Sequence, residues 1–177
     1  GPKVVNNSWN VDGDIGTLDP SQEAFCIAID GLAKLGVTSV FAAGNDGSDR
    51  NTIKIPGACP AALTVSATDI GDQIVSFSSR GPAIWKSGSI AKPDVAAPGK
   101  DIDSADPGGG YRTRSGTSMA SPHVAGAVAI LLQAKPGLSP DQVKSVLMST
   151  AEDIEAKGFD IDSGAGRINL VRAVQSL

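Results

Sequence analysis

The chain has 177 residues, the length of a single domain and enough to bury a core without metal or disulfide staples. Hydrophobic residues make up 41% and charged residues 19%, which excludes a disordered tail and a coiled coil. The net charge is −4 and no Lys/Arg cluster exists, so neither a nucleic acid nor an anionic membrane is an expected partner.

Lys3-Val4-Val5-Asn6-Asn7-Ser8 reads as a strand with β-branched residues. Asp19-Pro20 offers a cap followed by proline at a first helical position. Ala24, Ile27, Ala28 and Leu35 recur at helical spacing up to Gly36 and are the expected core face of that helix. Val37 to Ala43 is a short, nearly continuous apolar run, which suits a buried parallel strand. Strand, helix and strand make a βαβ crossover and predict an α/β layered fold. From Gly44 to Gly116 the chain is rich in turn residues, with short strands expected at Leu63–Thr68, Ile74–Ser78 and Asp94–Ala96. Thr117 to Gln133 has small or apolar residues on most faces and predicts a buried helix. Ser139-Pro140-Asp141-Gln142 combines a cap, an N1 proline and a capping box, with Val143, Val146 and Leu147 as the apolar stripe. A last short helix is expected from about Asn169 to Gln175. No repeat or second domain is visible.

Aromatics are only 4%, against 21 Gly and 11 Pro, so the core has to come from closely packed Ala, Val, Ile and Leu. Two cysteines, Cys26 and Cys59, are too few for a disulfide framework; one bridge and two free thiols both fit. The longest apolar run, Val124 to Leu132, is too short to span a bilayer. No basic segment followed by an apolar one opens the chain, so a signal peptide is expected to be absent or already removed.

The informative stretch is Ser115-Gly116-Thr117-Ser118-Met119-Ala120-Ser121-Pro122-His123-Val124-Ala125-Gly126. A glycine turn delivers Ser118 to the first turn of a helix, where free N–H groups favour negative charge. A serine so placed can attack a carbonyl while its own N–H holds the oxyanion; it also fits an ordinary helix cap. Ala42-Ala43-Gly44-Asn45-Asp46-Gly47 follows the buried strand directly. Ligands of open α/β sheets bind beyond the carboxyl ends of strands, which suits Asn45 as an amide donor, although Asn-Asp-Gly is equally turn chemistry.

Taken together, these stretches resemble the subtilisin-like serine peptidases, the subtilase family. Gly-Thr-Ser-Met-Ala-Ser-Pro-His-Val-Ala-Gly is similar to the signature around that family's nucleophile. Ala-Ala-Gly-Asn, Phe77-Ser78-Ser79-Arg80-Gly81-Pro82, Lys92-Pro93-Asp94-Val95-Ala96-Ala97-Pro98-Gly99 and Gly164-Ala165-Gly166-Arg167-Ile168-Asn169 continue the likeness in order, as does Val4-Val5-Asn6-Asn7-Ser8-Trp9. The resemblance implies a three-layer α/β fold with a mostly parallel sheet, of which residues 1–177 are the C-terminal half to two-thirds. It implies a secreted serine endopeptidase acting on peptides or proteins, with Ser118 as nucleophile and Asn45 as side-chain donor of the oxyanion hole. Ser8, Trp9 and Asn10 would pair with the substrate backbone as an added strand. Ala43 and Gly44 would line the pocket for the residue before the scissile bond, and Thr117 would join the substrate-binding set.

The family's catalytic Asp and His have no counterpart here. The sole histidine, His123, follows Ser118 by five residues, about 140° around a helix and about 7.5 Å along it, so it cannot act as base and reads as a packed structural residue. Asp12-Gly13 and Asp69-Ile70-Gly71 lie downstream of where the family's Asp belongs. Three situations remain open: a nicked enzyme whose partner segment carries Asp and His, a piece of a longer protein, and a degenerate relative that binds peptide without cleaving it. No cofactor is implied, and no metal ligand is assigned; the family allows calcium as a structural ion. Asn10-x-Asp12-x-Asp14 alternates oxygens, but Ile15 and Ser21 replace the Gly and Glu of a calcium loop. Asp101-x-Asp103 and Asp160-x-Asp162 read as solvated loops. Lys54, beside the expected pocket, fits an ordinary exposed lysine, and fits equally a cation that favours an acidic residue before the cleaved bond.

Overall fold

A computed structural model describes residues 1–12, 15–21 and 23–177. In chain order the elements are β1 (Val4–Asn7), a 3-10 turn (Ile15–Thr17), α1 (Ala24–Lys34), β2 (Thr38–Ala42), β3 (Leu63–Thr68), β4 (Ala83–Trp85), β5 (Gly88–Ile90), β6 (Val95–Pro98), β7 (Ile102–Ala105), β8 (Tyr111–Arg114), α2 (Thr117–Ala134), α3 (Pro140–Ser149) and α4 (Leu170–Gln175). The main sheet runs β1-β2-β3-β6 and is parallel throughout. β4–β5 and β7–β8 are separate antiparallel hairpins.

The layering follows from residues that alternate in period two along buried strands. Val40, Val65 and Val95 face α2, where Ala120, Val124, Val128 and Leu131 meet them, with Val143 and Leu147 of α3 behind. Phe41 and Ala43 face the opposite layer, with Cys26 and Ile29 of α1 and Ile53, Ile55 and Trp85. Each fully buried Val or Leu contributes about 1.5–3 kcal/mol over its exposed state. The result is a three-layer arrangement of α1, parallel sheet, and α2 with α3 and α4, in agreement with the expected fold.

Several expectations need correction. α1 starts at Ala24 rather than beside Pro20, because the Glu23 carboxylate accepts the Cys26 N–H at 3.0 Å and caps the helix there. Its core face is also different: Cys26 and Ile29 are buried, whereas Ile27 and Leu35 are 55% and 77% exposed. The helix is apolar on nearly every side, so periodicity alone does not choose the phase. A disulfide between Cys26 and Cys59 does, tying α1 to the β2–β3 connection and settling the alternative left open by composition. Ile74–Ser78 is not a strand. The Asp69 carboxylate accepts the Gly71 and Gln73 N–H groups at 2.9 and 3.1 Å, folding the chain back so that Ile74 makes only one bridge, to Thr68. α2 is not buried all round, since Pro122, His123, Gly126, Ala129 and Ile130 point outward.

The core also holds charge. Lys92 is fully buried, and its ammonium donates to the Ala62 carbonyl, Thr64 Oγ1 and Asp94 Oδ2 at 2.6, 3.0 and 2.7 Å. Lys144 of α3 reaches Asp94 Oδ1 at 2.6 Å, and Thr64 N–H donates to Asp94 Oδ2 at 2.7 Å. Burial, opposed by Asp94 and aided by Lys144, pushes the Lys92 ammonium down to about 7. Burial pushes the Asp94 carboxyl up, but the two ammonium groups outweigh it and hold it below the usual carboxylate range.

Candidate active site

The site forms where β1, β2 and β6 end and α2 begins. Gly99, just past β6, donates to the Thr68 carbonyl at 2.9 Å and accepts the Gly116 N–H at 2.8 Å. A Cβ on Gly99 would lie 2.6 Å from Ala67 Cβ and 2.9 Å from the Gly116 carbonyl oxygen, so only glycine lets this turn approach the sheet. Gly116 then caps α2 without any side-chain hydrogen bond, leaving the first-turn amides for other partners. Thr117 N–H goes to Asn45 Oδ1 at 2.9 Å and Met119 N–H to the Gly116 carbonyl at 2.9 Å. Between them, Ser118 N–H has no hydrogen-bond acceptor among the described residues.

Asn45 is aimed by its surroundings. Gly44 precedes it at φ +117°, and a Cβ there would stand 2.7 Å from Ser79 Oγ. That hydroxyl accepts the Asp46 N–H at 3.1 Å, while Ser79 N–H donates to the Gly44 carbonyl at 3.0 Å, so the turn around Asn45 is held from both sides. Because the Thr117 amide can only donate, the oxygen of the Asn45 amide must face it and Nδ2 must face the site. Thr117 Oγ1 adds a contact to Asn45 Oδ1 at 3.0 Å. A Cβ placed on Gly116 would lie 3.6 Å from Asn45 Nδ2 and 3.7 Å from Ser118 N, so both donors border one small space that glycine leaves open.

The expected residues divide by what their side chains do. Ser118 is half-buried, with its hydroxyl donating to the Ser8 carbonyl at 3.1 Å. Ser8 Oγ donates to the Ser118 carbonyl at 2.7 Å. Trp9 meets Phe25 and Phe41 edge-on, with centroids 5.7 and 5.9 Å apart, and Asn10 is half-buried next to it. The Val11–Ile55 bridge joins this segment to the loop whose Lys54 N–H donates to the Ala43 carbonyl at 3.1 Å, so Ala43 and Gly44 are flanked by both walls. The Thr117 side chain is fully buried, and its hydroxyl contacts the Gly44 backbone and Asn45 Oδ1. Lys54 is not a free cation, because its ammonium lies 3.0 Å from Asp12 and 3.7 Å from Asp46. His123 is exposed rather than packed, and its Nδ1 lies 2.8 Å from the Met119 carbonyl.

Among the described residues, the acidic motifs bring no three carboxylates together. Asp14 and Gly13 lie outside the described residues, and Asp12 already holds the Lys54 ammonium. Asp101 accepts the Ser115 hydroxyl, Asp103 that of Thr113, and Asp160 caps Asp162 and Ser163 within its own turn. Among the described residues, the one grouping of three metal-type side chains is Glu23, Cys26 and Cys59, whose sulfurs are already bonded to each other. No local signal in the sequence marks the supporting contacts of Gly99 and Ser79. Pro122 carried a usable signal, since a proline inside a helix frees the carbonyl four residues before it.

Comparison with known proteins agrees with this architecture. The family model described as the subtilase family matches residues 1–166. The chain belongs to the subtilase family. The serine protease AprX of Bacillus subtilis (strain 168) is 35% identical over 189 residues, covering 94% of this chain and 42% of that protein. A subtilisin of Bacillus pumilus is 38% identical over 181 residues, covering 97% of the chain and 62% of the relative. Among solved structures, sphericase matches with a TM-score of 0.81 at 31% identity, covering 94% of this chain and 56% of that one. The chain thus spans roughly half the length of the subtilases it matches. No helix among the described residues is long and apolar enough to cross a membrane.

Proposed function

We propose that this chain is the nucleophile-bearing, C-terminal part of a subtilase catalytic domain that hydrolyses peptide bonds by acyl transfer. The observation that carries the reading is that Asn45 Nδ2 and Ser118 N lie 3.6 and 3.7 Å from one point beside Gly116, at the start of the helix that carries the Ser118 hydroxyl. Ser118 Oγ bonds to the substrate carbonyl carbon as its proton passes to a histidine. The carbonyl oxygen gains negative charge between the two donors. Collapse breaks the C–N bond, the histidine protonates the departing amine, and water cleaves the resulting ester by the same route. The catalytic Asp and His come from another segment, and the outward small and apolar residues of α2, Pro122, Gly126, Ala129 and Ile130, suit its docking. All these roles fall to side chains and backbone, so the reaction requires no cofactor. The Cys26–Cys59 disulfide favours an extracellular setting.

The second reading, a peptide-binding domain without cleavage, is favoured by the position of the only histidine, which is exposed and bonded to the Met119 carbonyl. A fluorophosphonate probe separates the two. With the Asp/His-bearing segment present, intact mass should show one adduct on Ser118, absent from Ser118→Ala. Failure to label after that segment is supplied would favour the binding domain.

Specificity next to Gly44 is a separate expectation. Lys54 forms a pocket wall, its Cγ lying 3.2 Å from a Cβ built on Gly44, but two carboxylates already match its charge. Peptides differing only in Glu, Leu or Lys before the scissile bond should therefore be cleaved fastest with Leu. Fastest cleavage with Glu would mean that the lysine leaves Asp12 and Asp46 for the substrate.

A further inference from the structure

We propose that Ser8, supported by Asn6 and Ser121, is a positioning residue for the nucleophile, and that it supplies the hydrogen bond which Pro122 removes from α2. In a regular helix the Ser118 carbonyl would accept the N–H of residue 122. Pro122 has no N–H, and its ring pushes that carbonyl away from the helix axis. Ser8 Oγ takes the vacant acceptor at 2.7 Å from a strand 110 residues earlier. The same residue's backbone carbonyl accepts the Ser118 hydroxyl at 3.1 Å. Ser118 is therefore held at its carbonyl and at its hydroxyl by one residue.

The hydroxyl of Ser8 is itself oriented. Asn6 Nδ2 donates to Ser8 Oγ at 2.9 Å, so the Ser8 proton is left for another acceptor, and the Ser118 carbonyl at 2.7 Å is the shorter of its two contacts. Asn6 Oδ1 accepts the proton of the fully buried Ser121, at 2.7 Å, and Ser121 Oγ lies 3.0 Å from Ser8 Oγ. Two hydroxyls and one carboxamide thus lock the end of β1 to the first turns of α2. The free Ser118 N–H and the Ser118 Oγ depend on that first turn for their aim, and a displacement of the carbonyl moves both.

This inference rests on the reading of Ser118 as nucleophile. It is tested with the enzyme completed by its Asp/His-bearing segment. Ser8→Ala should lower kcat about tenfold, the rate equivalent of one ordinary hydrogen bond, with KM changed less than about twofold. Adding Pro122→Ala to that variant restores an N–H for the Ser118 carbonyl and should return kcat to within about twofold of the parent. Amide hydrogen exchange over residues 116–121 should accelerate in Ser8→Ala and slow again in the double variant. A purely structural clamp would lower the melting temperature without this rescue. An unchanged kcat in Ser8→Ala, or a double variant no faster than Ser8→Ala, overturns the proposal and leaves the nucleophile assignment standing. A parent that neither cleaves nor takes the probe overturns both.

Discussion

Asn45→Ala should lower kcat of the completed enzyme about 10²–10³-fold, equivalent to about 2.7–4 kcal/mol of transition-state stabilisation, a magnitude that rests on the corresponding subtilisin residue. The loss belongs in kcat because the donor faces charge that exists only after attack. Substrate in its ground state gains little from Nδ2, so KM should hardly move. The geometry explains why a flexible side chain is effective here. Asn45 Oδ1 is fixed by the Thr117 amide at 2.9 Å and its hydroxyl at 3.0 Å, so the donor is already aimed before substrate arrives. Asn45→Asp keeps the shape but presents a carboxylate to the oxyanion, and it should be at least as damaging. Steady-state kinetics on matched variants measures both. A kcat for Asn45→Ala within about twofold of the parent would remove Asn45 from the oxyanion hole.

Much of the architecture was legible where the local signal and the tertiary demand coincide. β2 falls inside the short apolar run Val37–Ala43 and is buried along its whole length, and α3 follows from a capping box whose two reciprocal bonds both form, at 2.9 and 3.2 Å. The two hairpins were not legible for the opposite reason. β8 is exposed along its whole length, so no alternation of apolar and polar residues marks it, and β4 and β5 have three residues each. The phase of α1 was misread because its apolar residues surround the helix, and a cysteine pairing invisible to periodicity selects the inward face.

Ser118 and Asn45 stood out because each lies in a run of residues whose spacing has a chemical reason. The residues that aim them did not, because their meaning is set by partners far along the chain. Thr117 reads as a second hydroxyl in the motif until Asn45, 72 residues earlier, is placed against its amide. Ser79 sits in a stretch noted only for its resemblance to relatives, yet its hydroxyl fixes the turn that carries Asn45. The charge balance of Lys54 is likewise invisible in the sequence, because Asp12 and Asp46 reach its ammonium only through the fold.

Asp94→Ala should destabilise the protein by about 3–5 kcal/mol, seen as a lower urea midpoint, because it strands buried cations. Among the described residues Asp94 is the one anion touching Lys92, and it also receives Lys144 and the Thr64 amide. Lys92→Met should cost less than half as much. Without the ammonium, Asp94 keeps Lys144 and the Thr64 amide, the Ala62 carbonyl keeps Lys144 at 3.2 Å, and Thr64 Oγ1 keeps the Gly57 carbonyl at 2.6 Å. The pH dependence carries a matching signature. Asp94 titrates lower in the folded chain than the ordinary 3.8, so its contribution is present above that value and is lost as pH falls through the folded one. Lys92 titrates at about 7 when folded and 10.5 when unfolded, so the unfolded chain binds the extra proton between those values and stability rises with pH across that window. Lys92→Met should flatten the alkaline rise and also weaken the acid loss, because the Lys92 ammonium is the largest influence lowering the Asp94 carboxyl, while Asp94→Asn should remove the Asp94 share of the acid loss altogether. Equal destabilisation by Lys92→Met and Asp94→Ala would mean that the ammonium is as indispensable to the cluster as the carboxylate.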